Sequence, residues 1–356
     1  MFKCSINGVR VLFSKFFASS DVTAALEFVK GAEAKKVIFG DSPATKFKVE
    51  LVKGLLEAGM EVRDYDHHYP EETKTERDQE IGSACDSVKN LLGDNAVIVT
   101  RATAPGCCQL LSGPVADQET VVIVDSDADG LLFAIKATGA PYGADEIDKD
   151  AAILDGPRAA QNRAAGLSEL GDLLVKGMAT LPPYDSDRPQ VSEDAKAALF
   201  ATFVSAAGGN TDAKTKLQGA VEAYEAGVAK AKELAGTAIE VTAGVFLVDT
   251  CSTKERYDLG TLAASLESRP GCRVTVVVKS LGPIAKAHGG AQYSLSVPKP
   301  LQKELSVQSL LPAGWDSAVE AGVICNSNFL LHVSKNVWET QVLPALREGR
   351  HLAGRA

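Results

Sequence analysis

From Gly8 to about Pro157 the chain alternates short apolar runs with segments whose apolar residues recur at three- and four-residue spacing. The short runs are Val9 to Phe13, Lys36 to Gly40, Met60 to Tyr65, Ala96 to Val99 and Val121 to Val124. Between them the spacing predicts a helix opened by Asp21 as N-cap, one from about Thr45 to Ala58 stopped by Gly59, and one over Glu76 to Leu92. Strands that alternate with helices predict an α/β fold, a doubly wound and mainly parallel sheet covered on both faces.

The texture then changes. Residues 157–238 are Ala-rich and helical, with Leu217, Val221, Tyr224, Val228 and Ala231 on one stripe. Leu181 to Pro189 reads as a linker, and Gly208 to Thr211 as a turn. Strands return at Val245 to Val248, Arg273 to Val278 and Tyr293 to Val297. The expected organisation is therefore an α/β domain over 1–156, a helical connector over 157–238 and a smaller C-terminal α/β domain over 239–356.

Composition narrows the function classes. With 46 acidic against 37 basic residues and a net charge of −9, the surface repels a phosphate backbone, so bulk nucleic-acid binding is not expected. Seven cysteines, an odd number without a C-x-x-C pair, argue against a zinc ribbon or a disulfide framework. No apolar run is long enough to span a bilayer. The first twenty residues carry Lys3, Arg10 and Lys15, four serines and no acid, the composition of a mitochondrial targeting segment, although Val9 to Phe13 also reads as the first strand. P-loop, G-x-G-x-x-G, H-E-x-x-H and G-x-S-x-G patterns are absent from the sequence.

In an open parallel sheet, ligands bind beyond the carboxyl ends of the strands. Three such ends carry chemistry: Asp41 after the second run, Asp66-His67-His68 after the third, and Asp125-Ser-Asp127-Ala-Asp129-Gly130 after the last. Carboxylates and imidazoles gathered at one sheet edge suit Mn²⁺ or Mg²⁺. Asp41, the Asp66-His67-His68 triplet and Asp125, in this order and each after a strand, resemble the DHH phosphoesterase superfamily. That superfamily includes RecJ-type exonucleases, oligoribonucleases and manganese pyrophosphatases. Lys286-Ala-His288-Gly289-Gly290 is similar to the glycine-rich motif of the family's small C-terminal domain. The resemblance implies a two-metal hydrolase of phosphoester or phosphoanhydride bonds. Asp41, His67 and Asp125 would be metal ligands, Asp66 would orient the histidines, and His68 would contact the scissile phosphate. His288, Gly289 and Gly290 would hold substrate phosphate.

The chain also departs from that pattern. The family's first motif, a His-x-x-x-Asp-x-Asp arrangement, falls on Ser14 to Asp21, where the histidine and at least one aspartate are missing and Lys15 or Phe16 stands in place of imidazole. The histidine expected after the glycines is Ala291 or Gln292. Two functions follow as expectations. The first is a DHH-fold pseudoenzyme without a cofactor, an accessory subunit held by other protein subunits of a mitochondrial assembly such as a respiratory-chain or ATP synthase complex. The alternative is an active Mn²⁺- or Mg²⁺-dependent phosphoesterase acting on short oligonucleotides, dinucleotides or pyrophosphate. The alternative requires that Asp125, Asp127 and Asp129 replace the missing motif, which they resemble. A calcium loop starting at Asp125 would need Glu at its twelfth position, where Lys136 stands. Cys107-Cys108 reads as buried packing or as a helix start with an acidified thiol, Arg101 as a phosphate contact or a surface charge, and Trp315 and Trp338 as core or interface anchors.

Overall fold

The computed structural model describes residues 1–14, 18–71, 76–155, 166–182, 189–280, 282–302, 304–311, 317–327 and 330–348. Lys15, Phe16 and Trp315 lie outside these residues, as does most of the 181–189 linker. The chain forms two compact units, Met1–Tyr224 and Glu225–Ala356.

The first unit is built on a six-stranded sheet in the order β1-β2-β6-β3-β4-β5. Its strands are β1 (Phe2–Ile6), β2 (Val9–Phe13), β3 (Lys36–Gly40), β4 (Glu61–Asp66), β5 (Ala96–Ile98) and β6 (Thr120–Val124). β1 and β2 form an antiparallel hairpin, and every later pairing is parallel. The segment with targeting-like composition therefore includes an edge strand whose Phe2 and Ile6 are buried.

Nearly continuous apolar strands such as Thr120–Val124 need cover on both faces, and alternate residues serve two cores. Val37, Phe39, Val121 and Ile123 face α1 (Ser19–Gly31), α2 (Lys46–Glu57) and α3 (Glu76–Leu92). Ile38, Val122 and Val124 face α4 (Ala128–Thr138), α5 (Ala144–Leu154), α6 (Glu169–Ala179), α7 (Pro189–Ala207) and the start of α8 (Thr211–Gly236). The doubly wound sheet matches the pattern of the sequence. The expected connector is divided instead: Leu173, Leu174, Phe200, Phe203, Leu217 and Val221 join the first core, and the division between units falls inside α8. Phe200 supplies the reason, its ring lying edge-on to Phe2 at 5.6 Å and Phe13 at 5.1 Å. Asp21 does not sit at the N-cap but two residues into α1, where its carboxylate reaches back to the Ala18 N–H at 3.0 Å.

The second unit has a six-stranded sheet in the order β11-β12-β10-β9-β8-β7. The strands are β7 (Ile239–Thr242), β8 (Val245–Asp249), β9 (Val274–Lys279), β10 (Gln292–Ser296), β11 (Val323–Ser327) and β12 (Leu330–Ser334), with α9 (Leu259–Glu267) crossing between β8 and β9 and α10 (Pro283–His288) before β10. Among its described strands only β8 and β9 pair in parallel. The two last strands form a hairpin against β10 that the sequence pattern did not disclose. Among the described residues, no helix is long and apolar enough to cross a membrane.

Candidate metal centre

Neighbouring strands β6, β3 and β4 end together at one edge of the first sheet, and a polar residue follows each. Asp41 follows β3 with a left-handed backbone, φ 48°, a conformation that Asp adopts more readily than most residues. Its N–H bonds the Tyr65 carbonyl at 3.1 Å, which fixes it against the end of β4. The close approach begins one residue earlier. A side chain on Gly40 would place its Cβ 2.0 Å from the Phe133 ring, so only glycine lets α4 pack this near to β3.

His67 is wholly buried. Its Nδ1 lies 2.8 Å from the Ala104 carbonyl, an acceptor, so the proton resides on Nδ1 and Nε2 carries a lone pair. That lone pair faces Asp41 Oδ1 at 3.2 Å, Asp129 Oδ2 at 3.5 Å and Asp155 Oδ2 at 3.6 Å. Burial lowers the His67 pKa to about 4, which keeps the ring neutral at physiological pH. Among the described residues, neither oxygen of Asp41, nor Asp129 Oδ1, nor His67 Nε2 has a hydrogen-bond partner, although all are buried. Burial, with Asp127 and Asp129 close by, raises the pKa of Asp41 well above the carboxylate range. Burial does the same to Asp129 and raises Asp155 to about 6, against the pull of Arg101.

Lone pairs and carboxylates do not converge in a dry interior without something positive between them. Two overlapping groups have the spacing to hold an ion, Asp41 with His67 and His68, and His67 with Asp129 and Asp155. Three carboxylates and one imidazole form a hard, oxygen-rich donor set that suits Mn²⁺ or Mg²⁺. The backbone bond from His67 Nδ1 is the contact that ordinarily orients a ligating histidine.

The structure brings together Asp41, His67 and His68 of the expected set. Asp125 belongs to neither group, because its Oδ1 turns back to accept the Ser126 N–H. Asp129, in the first turn of α4, stands beside His67 in its place. Asp127 caps α4 by accepting the Gly130 N–H at 2.9 Å, and Gly130 has no room for a Cβ, which would sit 2.3 Å from the Asp125 carbonyl. Asp155 escaped the sequence reading, having been taken as the end of a domain. The signal was present: an acid just past Leu154 opposes the dipole of α5 and needs a reason.

Asp66 sits beneath the histidines rather than among the ligands. Its Oδ1 accepts from His68 Nδ1 at 2.7 Å and from the His68 N–H at 3.2 Å. Below it the Lys48 ammonium is fully buried, 2.9 Å from Asp64 and 3.8 Å from Asp66 Oδ2, and it donates to the Ser42 carbonyl at 2.5 Å. Burial works against the charge on Asp66, but Lys48 and His68 outweigh it and hold the pKa below its usual value. On the open side, Arg101 Nη2 bridges His68 Nε2 at 2.8 Å and Asp155 Oδ1 at 2.9 Å, with 46% of the Arg101 side chain exposed.

His288, Gly289 and Gly290 belong to the second unit. His288 closes α10, and its Nε2 lies 2.6 Å from the Val319 carbonyl. Gly289 and Gly290 adopt φ 63° and 116°, angles that account for glycine at both positions.

No family model matches the chain, and no curated protein matches it. Among solved structures it is similar to one described as a pGpG-specific phosphodiesterase, PggH, from Vibrio cholrae, at 11% identity and a TM-score of 0.46, covering 88% of this chain and 97% of that one.

Proposed function

We propose that the first unit is a divalent-metal-dependent hydrolase of phosphoester bonds, with Mn²⁺ or Mg²⁺ held by Asp41, His67, Asp129 and Asp155. The observation that carries this reading is the convergence of the His67 Nε2 lone pair with Asp41, neither of whose buried oxygens has a hydrogen-bond partner among the described residues, and with Asp129, whose Oδ1 also has none. A decayed site would be expected to have repacked with apolar groups or acquired an internal cation. Lys48 does neutralise Asp64 and Asp66, but it leaves the other four donors facing one another. The pseudoenzyme reading rested on the histidine and aspartate missing from the first motif and on the altered glycine motif; Asp129 and Asp155 offer carboxylates from elsewhere in the chain.

Phosphoester chemistry follows from the order Asp41, then Asp66-His67-His68, that resembles the DHH superfamily, together with the rim. When bound, a divalent ion supplies Lewis acidity at phosphorus and acidifies water. Asp66 keeps the His68 proton on Nδ1, so His68 Nε2 accepts from the Arg101 guanidinium and holds it beside the proposed ligands. Arg101 offers a half-exposed guanidinium fork to an anionic group arriving there. The carboxylates by themselves repel such a group, so ion and arginine together would admit it.

The test is the Mn²⁺ stoichiometry of chelator-treated protein, followed by hydrolysis of bis(4-nitrophenyl) phosphate. Tight Mn²⁺ binding and activity that both vanish in Asp41→Asn support the reading. A chain that holds no Mn²⁺, or activity that survives Asp41→Asn, refutes it and returns the accessory-subunit alternative.

A further inference from the structure

The turn from Ala104 to Cys107 touches every element that supplies the proposed ligands. The Ala104 carbonyl holds His67 Nδ1. The Cys107 N–H donates to Asp129 Oδ2 at 2.9 Å. The Cys107 thiol accepts the Asp41 N–H at 3.1 Å and donates to the Tyr65 carbonyl at 3.2 Å. Gly106 lies so near α5 that a Cβ there would meet the Ala152 nitrogen at 2.6 Å, and Asp155 follows that helix. Cys107 is itself wholly buried.

From this placement we infer that Cys107 is a positioning residue of the metal centre, acting through Asp41 and Asp129 and not as a ligand. The inference rests on the metal reading of the site and names the part of the chain that tunes it. Both hydrogen-bonding capacities of the sulfur are committed: its lone pair to the Asp41 N–H, which it shares with the Tyr65 carbonyl, and its proton to Tyr65. The proton that the sulfur donates to the Tyr65 carbonyl points it away from a ligand's role. What it supplies is geometry. Asp41 occupies a left-handed turn, and the sulfur braces the backbone N–H of that turn while the Cys107 N–H takes one oxygen of Asp129. Outer contacts of this kind typically change metal affinity by ten- to a hundredfold.

Serine can reproduce both hydrogen bonds of the thiol, and alanine neither. The measurement is a Mn²⁺ titration of the full chain followed by the electron paramagnetic resonance of free Mn²⁺. Cys107→Ala is expected to bind at least about tenfold more weakly, and Cys107→Ser to stay within about threefold of the native protein on the same scale. If the alanine variant does not fold, Cys107→Val fills the space without a hydrogen bond and takes its part. Native affinity in the alanine or valine variant overturns the inference. So does equal weakening in the serine variant, which would assign the effect to volume. Absence of Mn²⁺ binding in the native protein is a separate result, which removes the metal reading itself.

Discussion

Asp155→Asn should flatten the pH dependence of the metal-free first unit. Asp155 has a native pKa of about 6, raised from 3.8 by burial. The native state therefore holds this proton over a range in which the unfolded chain has released it. Stability from the group is complete below the unfolded pKa and is lost as pH rises through the native one. The full span, about two pKa units, corresponds to about 3 kcal/mol. Roughly 1.4 kcal/mol of that is lost between about pH 5 and 7.5 by the same linkage. Asparagine keeps an oxygen for Arg101 and removes the titration, so the slope in that window should fall by about this amount. Both tryptophans, Trp315 and Trp338, lie in the second unit, so intrinsic fluorescence would report the wrong part of the chain. Hydrogen exchange of the β3, β4 and β6 amides, corrected for intrinsic rates and followed with chelator present, reads the correct one. An unchanged slope in Asp155→Asn, or native stability that rises from pH 5 to 7.5, would refute the assignment. Saturating Mn²⁺ should reverse the native trend, because its ligands must be deprotonated.

Other perturbations reach different parts of the site. Gly40→Ala forces a methyl against Phe133 and should cost at least about 1–3 kcal/mol, read by the same exchange measurement. Lys48→Met leaves Asp64 and Asp66 buried without their cation and should cost about 3–5 kcal/mol; adding Asp64→Asn should recover part of it, and an additive double mutant would show that the pair is uncoupled. Arg101→Gln should raise KM for bis(4-nitrophenyl) phosphate about tenfold, the worth of a charged hydrogen bond, measured at saturating Mn²⁺; a fall in kcat alone would move Arg101 from substrate to chemistry.

Much of the first sheet was legible because its strands are short, apolar and separated by helices with clear stops, as at Gly59. Asp41, His67 and His68 were legible for the same reason, since a strand end fixes where the next residues stand. Asp125 was misplaced by one helical turn: strand ends can be read from hydropathy, but whether a carboxylate turns inward or back onto its own loop depends on packing, here the contact of Gly130 with the Asp125 carbonyl. Lys48 was invisible because a lysine in an amphipathic helix reads as surface until its carboxylate partners are placed beneath it. Asp155 comes from a helix that periodicity could not tie to the sheet. Cys107 looked like packing, which it is, while its N–H and sulfur also bond the aspartates.

The strand order has a consequence for how the molecule is made. β6 lies between β2 and β3, yet it leaves the ribosome after both, and after β4 and β5. Until it arrives, β2 and β3 each present an open edge and the nascent sheet is split where the aspartates will gather. Closing that gap needs pairings between distant parts of the chain, the slow kind, and open apolar edges attract one another meanwhile. The candidate metal centre is thus among the last features of the first sheet to assemble, and an ion that gathered the ends of its strands would also draw the final strand into place.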